Sequence, residues 1–400
     1  MPAASTWDDH AANLRRALVE SLIAKGAIVS RQVREAFASV PRHLFVPDVD
    51  LDAAYKDQPV FIRWDDGIPI SSSTQPTMMA IMAEQLRLEP GCRVLEIGAG
   101  TGYNAAILAH VVGPTGSVIT VDIDQDIVDE AASNLSNGGY GNVEAVCGDG
   151  YAGYSPGQPY DRIMVTVGAQ DVSPHWVEQM RDGGIMVAPL WFRGYRLSVA
   201  LQKRDGVLEG LSASPCMFIP IRGSAGRTEG YFPVGNPSNN GPQMYLGMEQ
   251  DDPDHRHLLY RLFAEKGQPR DIGRSLEGQF HTQDLSSGFY MFLTANPRIN
   301  MVHWESPEGN FLGAGYALID LETMSAAVLS DSHPGQVMVY GGDAQHAELI
   351  GLLDRWDSLG RPSIHQLRIR ACFSPPLSMP EGHWSVAKRS PFTWAMSWDS

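Results

Sequence analysis

The run VLEIGAGTGY (94–103) leads from a strand-like apolar stretch through a glycine turn into a helix start, the setting in which glycines serve ligand binding. Gly98, Gly100 and Gly102 let backbone approach a bound group closely, with Ala99 between the first two. A helix starting near Tyr103 offers N–H groups that lack intrahelical partners. The spacing is GxGxG, where a dinucleotide site has GxGxxG, and an acid, Glu96, stands two residues before the first glycine. A carboxylate at that point repels a pyrophosphate and pairs with a cationic aminoacyl group. S-adenosylmethionine carries both a sulfonium and an α-ammonium charge. The loop therefore favours that cofactor, with S-adenosylhomocysteine as its product, over a nicotinamide.

Two further acids fall into the same pattern. VDID (121–124) ends a strand-like run with Asp122, placed to bind ribose hydroxyls, and Ile123 follows it. CGDG (147–150) sets Asp149, followed by Gly150, after the next such run, where a carboxylate can accept from an adenine amino group. Three acids at successive strand ends are more specific than a glycine loop alone.

The elements that must position these groups can be read from periodicity. Short β-branched runs at 93–97, 117–121, 142–146, 161–167 and 184–190 alternate with helical segments at Ala105–Val112, Gln125–Asn134 and His175–Met180. That alternation predicts an α/β fold, a doubly wound, mostly parallel Rossmann-like sheet covered on both faces. Upstream, helices are predicted over Asp9–Ala24, over Arg31–Ala38 with Ser30 as N-cap, and over Thr77–Leu88 with Pro76 in the first turn. The stretch from Pro41 to Ser73 reads as loop with brief strands. Further strands are expected at 196–202 and 216–221.

After residue 222 the composition changes. Residues 223–243 are dense in Gly, Pro, Asn and Ser and read as a linker. The expected organisation is N-terminal helices and substrate loop over 1–90, a cofactor-binding core over 91–222, and an additional C-terminal α+β domain over 244–400. In that last part, helices are expected near 254–266 and 343–358, and strands near 288–294, 311–319, 324–330 and 364–373.

At this point the residues resemble the protein-L-isoaspartate O-methyltransferase family. VREAFASVPRHLFVP (33–47), AYKDQPV (54–60), ISSSTQP (70–76), VLEIGAGTGYNAAILA (94–109), PYDRIMVTVGAQDVSP (159–174) and MRDGGIMVAPL (180–190) follow the family's order across residues 12–222. The VPRHLFVP and AYKDQPV segments are more diagnostic than the glycine loop, because methyltransferases in general lack them. The resemblance implies methyl transfer from S-adenosylmethionine to an isoaspartyl carboxylate in a peptide, after which the neighbouring backbone nitrogen closes a succinimide.

A carboxylate with pKa ~4 is already ionised at pH 7, so such chemistry needs positioning more than acid–base groups. By the same resemblance Ser73, Thr74 and Gln75 are the expected catalytic donors that orient it. Ser72 precedes them in the substrate loop. Val167, Gly168 and Ala169, small and with exposed backbone, are expected to line the other side.

Two features depart from the family pattern. Ser71-Ser72-Ser73-Thr74 precede Gln75-Pro76 where the family has a single Ser, which reads as a lengthened loop. The tail beyond residue 222 holds Trp304, Trp356, Trp384, Trp394 and Trp398, aromatic side chains suited to peptide recognition or to a core. Both features resemble an extended subgroup that methylates an ordinary aspartate in a ribosomal precursor peptide already crosslinked by a cyclase or ligase, giving an aspartimide and then isoaspartate. The alternatives are isoaspartyl repair and a non-catalytic peptide-binding protein that keeps the cofactor fold.

Composition excludes other classes. Thirty basic against 46 acidic residues give a formal charge of −16, so no broad phosphate-binding surface and no nucleic-acid partner are expected. Cys92, Cys147, Cys216 and Cys372 are far apart without a CxxC pair, and His255, His257, His281, His303, His333 and His346 show no ligand spacing; no metal is expected. SPPL (374–377) outlines an amino-methyltransferase motif but lacks its aromatic residue. No window approaches the ~18 apolar residues of a membrane span, so a cytoplasmic, membrane-free enzyme is expected.

Overall fold

The structure, a computed structural model, describes residues 4–192, 194–226, 230–234, 242–248, 252–277, 283–294, 296, 298–373, 385–389 and 392–398. The chain divides into two compact units, one of residues 1–189 and 198–226, the other of 190–197 and 227–400.

The first unit opens with helices α1 (Ala4–Ala24) and α2 (Arg31–Ser39). Ser30 caps α2 by accepting from the Val33 N–H, and the helix buries Val33, Ala36 and Phe37. A 3-10 turn over Arg42–Phe45 and a short helix α3 (Leu51–Ala54) follow. A hairpin of β1 (Val60–Asp65) and β2 (Ile68–Ser73) then leads into α4 (Pro76–Leu86). Proline begins α4 where its missing N–H costs nothing.

The central sheet comprises β3 (Arg93–Ile97), β4 (Ser117–Asp122), β5 (Val143–Cys147), β6 (Tyr160–Val165), β7 (Met180–Phe192), β8 (Tyr195–Arg204) and β9 (Val207–Pro215). Its order is β9-β8-β7-β6-β3-β4-β5, with parallel pairing from β7 through β5. Helices α5 (Tyr103–Val112), α6 (Gln125–Asn137) and α7 (Pro174–Gln179) make the connections. The order reverses between β3 and β6. In such sheets, ligands bind outside the strand C-termini at that switch point.

Strand β3 is buried through Val94, Leu95, Glu96 and Ile97, as expected for a parallel strand covered on both faces. Around it, α5 buries Ala105, Ile107 and Leu108, and α4 buries Met78, Met79, Met82 and Leu86. These side chains join Phe37 and Phe45 in one core.

The second unit is β-rich. It contains β10 (Gly230–Pro233), β11 (Gln243–Met248), α8 (Pro253–Ala264), β12 (Gln268–Asp271), α9 (Gln283–Thr294), β13 (Ile299–Glu305), β14 (Phe311–Asp320), β15 (Ser325–Ser330) and β16 (Gln336–Tyr340). It continues with α10 (Ala344–Ser358), β17 (Leu367–Cys372), β18 (Ser385–Arg389) and β19 (Phe392–Trp398). An antiparallel sheet runs β10-β11-β13-β14-β15-β16-β12. Trp356 and Trp394 are fully buried, so these two act as core. Trp384, His281 and the 374–377 motif lie outside the described residues.

Sequence expectations differ from the structure at four places, the first being the expected linker 223–243, whose residues 230–233 form β10. Residues 216–221 form no strand; β9 lies just before them, and only a bridge from Pro220 to Gly168 remains. Residues 288–294 belong to helix α9, because the apolar run GFYMFLT carries no period of its own and the preceding QDLSS lengthens it into a helix. Ser71, Ser72 and Ser73 are not a lengthened loop: they are the end of β2, facing Arg63, Phe61 and Val60 of β1. Short hydroxyl side chains fit a ladder as well as they fit a turn.

No helix among the described residues is long and apolar enough to cross a membrane.

Candidate active site

At the C-terminus of β3 the chain turns through Gly98, Gly100 and Gly102, with φ values of 99°, 50° and 82°. Two of these glycines are fixed by close neighbours. A Cβ on Gly98 would lie 2.7 Å from Thr166 Oγ1 and 3.0 Å from Val167 Cγ1; one on Gly100 would lie 2.9 Å from the Ser72 carbonyl oxygen. The glycine loop thus touches the end of β6 on one side and the end of β2 on the other. Thr166 Oγ1 is 2.9 Å from Ile97 O and 2.8 Å from Gly98 O, sharing its proton between them.

Asp122, at the end of β4, closes the loop from outside. Its Oδ2 accepts from the N–H groups of Ala99 (3.0 Å) and Gly100 (3.4 Å). Burial pushes its carboxyl up, against hydrogen bonds from backbone N–H groups. Ile123 follows, half-buried, its carbonyl accepting from Cys147 Sγ at 3.6 Å.

Glu96 is completely buried. Its carboxylate oxygens accept from Asn104 Nδ2 and Thr120 Oγ1, both at 2.6 Å. Burial pushes its carboxyl up to about 7, although these two donors oppose the shift. Asn104 Oδ1, on the first turn of α5, is buried and has no donor. An acceptor left open beside a carboxylate suits a cationic donor such as an α-ammonium.

Tyr103 contributes only its backbone to the helix start, because its ring is buried and packs against Phe37 and Phe45.

Asp149 lies after β5. Its Oδ1 accepts from Tyr151 N at 3.0 Å and its Oδ2 from Ser224 N at 2.8 Å. Burial works upward on this carboxyl, but hydrogen bonds from Ser224 and Tyr151 outweigh it and hold it below the usual range. Gly150 is buried against Ile97, and its carbonyl accepts from Trp176 Nε1 at 2.8 Å. Arg222 pairs with Asp124 and Ser224 N donates to Asp149, so the segment Arg222–Ala225 is tied to the acids that follow β4 and β5.

Opposite the glycine loop, Ser73 is buried with an unpartnered Oγ, while Ser72, Thr74 and Gln75 are half-buried. Gln75 Nε2 donates to the Asp57 carbonyl at 3.2 Å, which directs that side chain into the scaffold. Asp57 in turn receives Thr77 N (2.8 Å), Thr77 Oγ1 (2.5 Å) and Lys25 Nζ (2.6 Å), capping α4 from another segment. Despite burial, these donors hold its carboxyl below the usual range.

Arg42 is buried and donates to the carbonyls of Lys56 (3.3 Å), Gln58 (3.2 Å), Ser73 (3.4 Å) and Thr74 (3.2 Å). In a trans peptide, C=O and the following N–H point in opposite directions. The N–H groups of Thr74 and Gln75 therefore face away from Arg42. Together with the Thr74 hydroxyl they form a set of donors that can hold a carboxylate without protonating it.

Val167, Gly168 and Ala169, expected to line the other side, do not share one environment. Gly168 spends its N–H on Ile219 O and its carbonyl on Ile221 N, and Ala169 donates to Pro189 O. Both are buried, so only Val167, half-buried against Gly98, remains beside the loop. The cause is the 216–221 segment, which pairs with this turn instead of forming a strand of its own.

Sequence reasoning did not single out Arg42, Asp57, Asn104 and Arg222. Arg42 and Asp57 stand within the quoted VPRHLFVP and AYKDQPV segments, which was the available signal. Among the described residues no three His, Cys, Asp or Glu side chains gather as metal ligands.

Known proteins resemble this chain in sequence and fold. The family model for protein-L-isoaspartate(D-aspartate) O-methyltransferase matches residues 13–226. The protein-L-isoaspartate O-methyltransferase of Methanopyrus kandleri is 44% identical over 217 residues, covering 54% of this chain and 94% of the relative. That of Hyperthermus butylicus is 41% identical over 224 residues, covering 54% and 91%. A solved protein-L-isoaspartate O-methyltransferase is 28% identical with a TM-score of 0.52, and the match covers 89% of this chain and 96% of that one.

Proposed function

We propose, from the premise that this chain belongs to the protein-L-isoaspartate O-methyltransferase family, that it methylates isoaspartyl carboxylates in damaged proteins and peptides. The chain is an S-adenosylmethionine-dependent carboxyl O-methyltransferase with a class I methyltransferase fold and a β-rich C-terminal region. The observation that carries the reading is the contact of Gly100 with the Ser72 carbonyl, which sets the cofactor loop against the donors of Thr74 and Gln75.

In this reading Glu96, Asn104, Asp122 and Asp149, with the loop Gly98–Gly102, hold S-adenosylmethionine. The open Asn104 Oδ1 and Glu96 beside it supply acceptors for a cationic aminoacyl end. When bound, the cofactor supplies a methyl on sulfonium: the carboxylate–methyl bond forms as the carbon–sulfur bond breaks, and the electron pair stays on sulfur. No proton is transferred, so no general base is needed. Thr74 Oγ1 and the Thr74 and Gln75 N–H groups orient the acceptor carboxylate, and Val167 limits the space beside the loop. A near-attack arrangement of this kind supplies roughly 7–11 kcal/mol. The resulting ester is attacked by the adjacent backbone nitrogen, and methanol leaves as the succinimide forms.

A second reading, methylation of an ordinary aspartate in a crosslinked ribosomal peptide, rested on a lengthened serine loop and on the C-terminal extension. The serines belong to β2, and a solved isoaspartate methyltransferase matches 89% of the chain where the two relatives match 54%. Isoaspartyl methylation is therefore the better supported reading. Calorimetry with S-adenosylmethionine and with NAD, followed by measurement of base-labile methyl ester on an isoaspartyl peptide, tests it. Binding of S-adenosylmethionine and ester formation are expected; binding of NAD alone, or cofactor binding without ester on any peptide, would overturn it.

A further inference from the structure

We infer that Arg42 is a positioning residue for methyl transfer: it fixes the peptide planes after Ser73 and Thr74 so that two consecutive N–H groups face the acceptor carboxylate. The inference rests on the functional reading above and adds a residue with no contact to cofactor or substrate.

A guanidinium at 0% exposure is costly unless its donors are used. Here no carboxylate hydrogen-bonds to it directly. Its partners are four carbonyls, two from the Lys56–Gln58 turn and two from Ser73 and Thr74, and Nε has none. The Tyr103 ring lies 5.7 Å from the guanidinium carbon and closes the other side. Nη2 reaches three of the carbonyls with only two hydrogens, so it draws Gln58, Ser73 and Thr74 toward one point.

An apolar side chain of similar volume would pack on Tyr103 at less cost. It would also remove the guanidinium donor from the Ser73 and Thr74 carbonyls and loosen the hold on their peptide planes. Rotation of either plane would replace a donor facing the carboxylate with a carbonyl that repels it. The planar fork of arginine can hold carbonyls from two segments at once, whereas an ammonium is a single point.

The test uses the full chain and three variants, Arg42→Lys, Arg42→Met and Arg42→Ala. Each is checked by circular dichroism melting, by calorimetry with S-adenosylhomocysteine, and by kcat and KM on whichever of a matched isoaspartyl and aspartyl peptide pair the wild type methylates. Wild-type inactivity on the isoaspartyl peptide thus counts against the substrate reading and leaves this test intact. S-adenosylhomocysteine affinity is expected to stay within about threefold, while kcat/KM falls on the order of 10²-fold in Arg42→Met and about 10-fold in Arg42→Lys. Millimolar guanidinium is expected to restore part of the Arg42→Ala activity.

The inference is overturned if kcat/KM per cofactor-competent molecule is unchanged while the melting temperature drops. It is equally overturned if cofactor affinity and peptide kinetics fall together. Should the Met and Ala variants fail to fold, Arg42→Lys, which keeps the charge, decides between these outcomes.

Discussion

Gly100→Ala perturbs the junction of the cofactor loop and the substrate segment with a single methyl. The new Cβ would sit 2.9 Å from the Ser72 carbonyl oxygen, a backbone atom with no rotamer to adjust, and ordinary contact begins near 3.4 Å. Ser72 must therefore retreat by about 0.5 Å, or the loop must open by as much. Gly100 also has φ 50°, where an L-residue costs roughly 1–2 kcal/mol.

Gly139→Ala provides the control. Gly139 has φ 79° and nothing within 4 Å of its would-be Cβ, so it carries the backbone cost without the clash. Both variants are expected to lose ~1–2 kcal/mol in urea unfolding from the backbone cost, and Gly100→Ala roughly 1–3 kcal/mol more from the clash. Only Gly100→Ala is expected to lose turnover as well. A displacement of this size beside Thr74 lowers kcat on the order of 10–10²-fold, judging from the ~10² cost of a 1 Å misplacement. Steady-state kinetics on an isoaspartyl peptide with saturating cofactor measures it. Equal kcat in the two variants would refute the claim that Ser72 and the glycine loop are held in contact.

Three further outcomes are expected. Glu96, pushed up to about 7 by burial against an ordinary 4.5, contributes stability that is fully present below 4.5 and lost as pH rises through 7. Wild type should accordingly lose roughly 2–3 kcal/mol relative to Glu96→Gln between pH 5 and pH 8 in urea unfolding, and a pH-independent difference would contradict the buried placement. Thr74→Ala should lower kcat about 10²-fold with S-adenosylhomocysteine affinity intact by calorimetry, and unchanged kinetics would remove the hydroxyl from the donor set. Arg222→Ala breaks a partly exposed pair with Asp124 and should change stability by under ~1 kcal/mol, while amide exchange at Gly223–Ala225 speeds up. Unaltered exchange would show that Arg222 does not tie this segment down.

The parallel strands β3 to β7 were legible because each contains a short β-branched or apolar run, whereas β9 (VLEGLSASP) carries no such run and was not foreseen; Ser30, Pro76 and Gly102 mark helix starts by local chemistry alone. The placement of the three acids was legible for the same reason: Glu96 and Asp122 lie in the last two residues of their strands, and Asp149 two residues after its strand. What sequence pattern could not supply were partnerships between distant segments. Arg42 reaches carbonyls 14 to 32 residues away, and Asp57 caps a helix whose Thr77 lies 20 residues on. Gly168 looked exposed because the chain that covers it, 219–221, comes from beyond β9. The serine run misled because strand and loop both accept Ser, and only its register against Val60, Phe61 and Arg63 distinguishes them.

The account's central claim is methyl transfer to an isoaspartyl carboxylate. Its most direct test is intact-mass analysis of a matched set of isoaspartyl, aspartyl and crosslinked aspartyl peptides incubated with the chain and S-adenosylmethionine. The isoaspartyl peptide is expected to gain one methyl and then lose methanol to a succinimide, with the aspartyl peptides unchanged. Reaction of the crosslinked aspartyl peptide alone, or of none of the three, would contradict it.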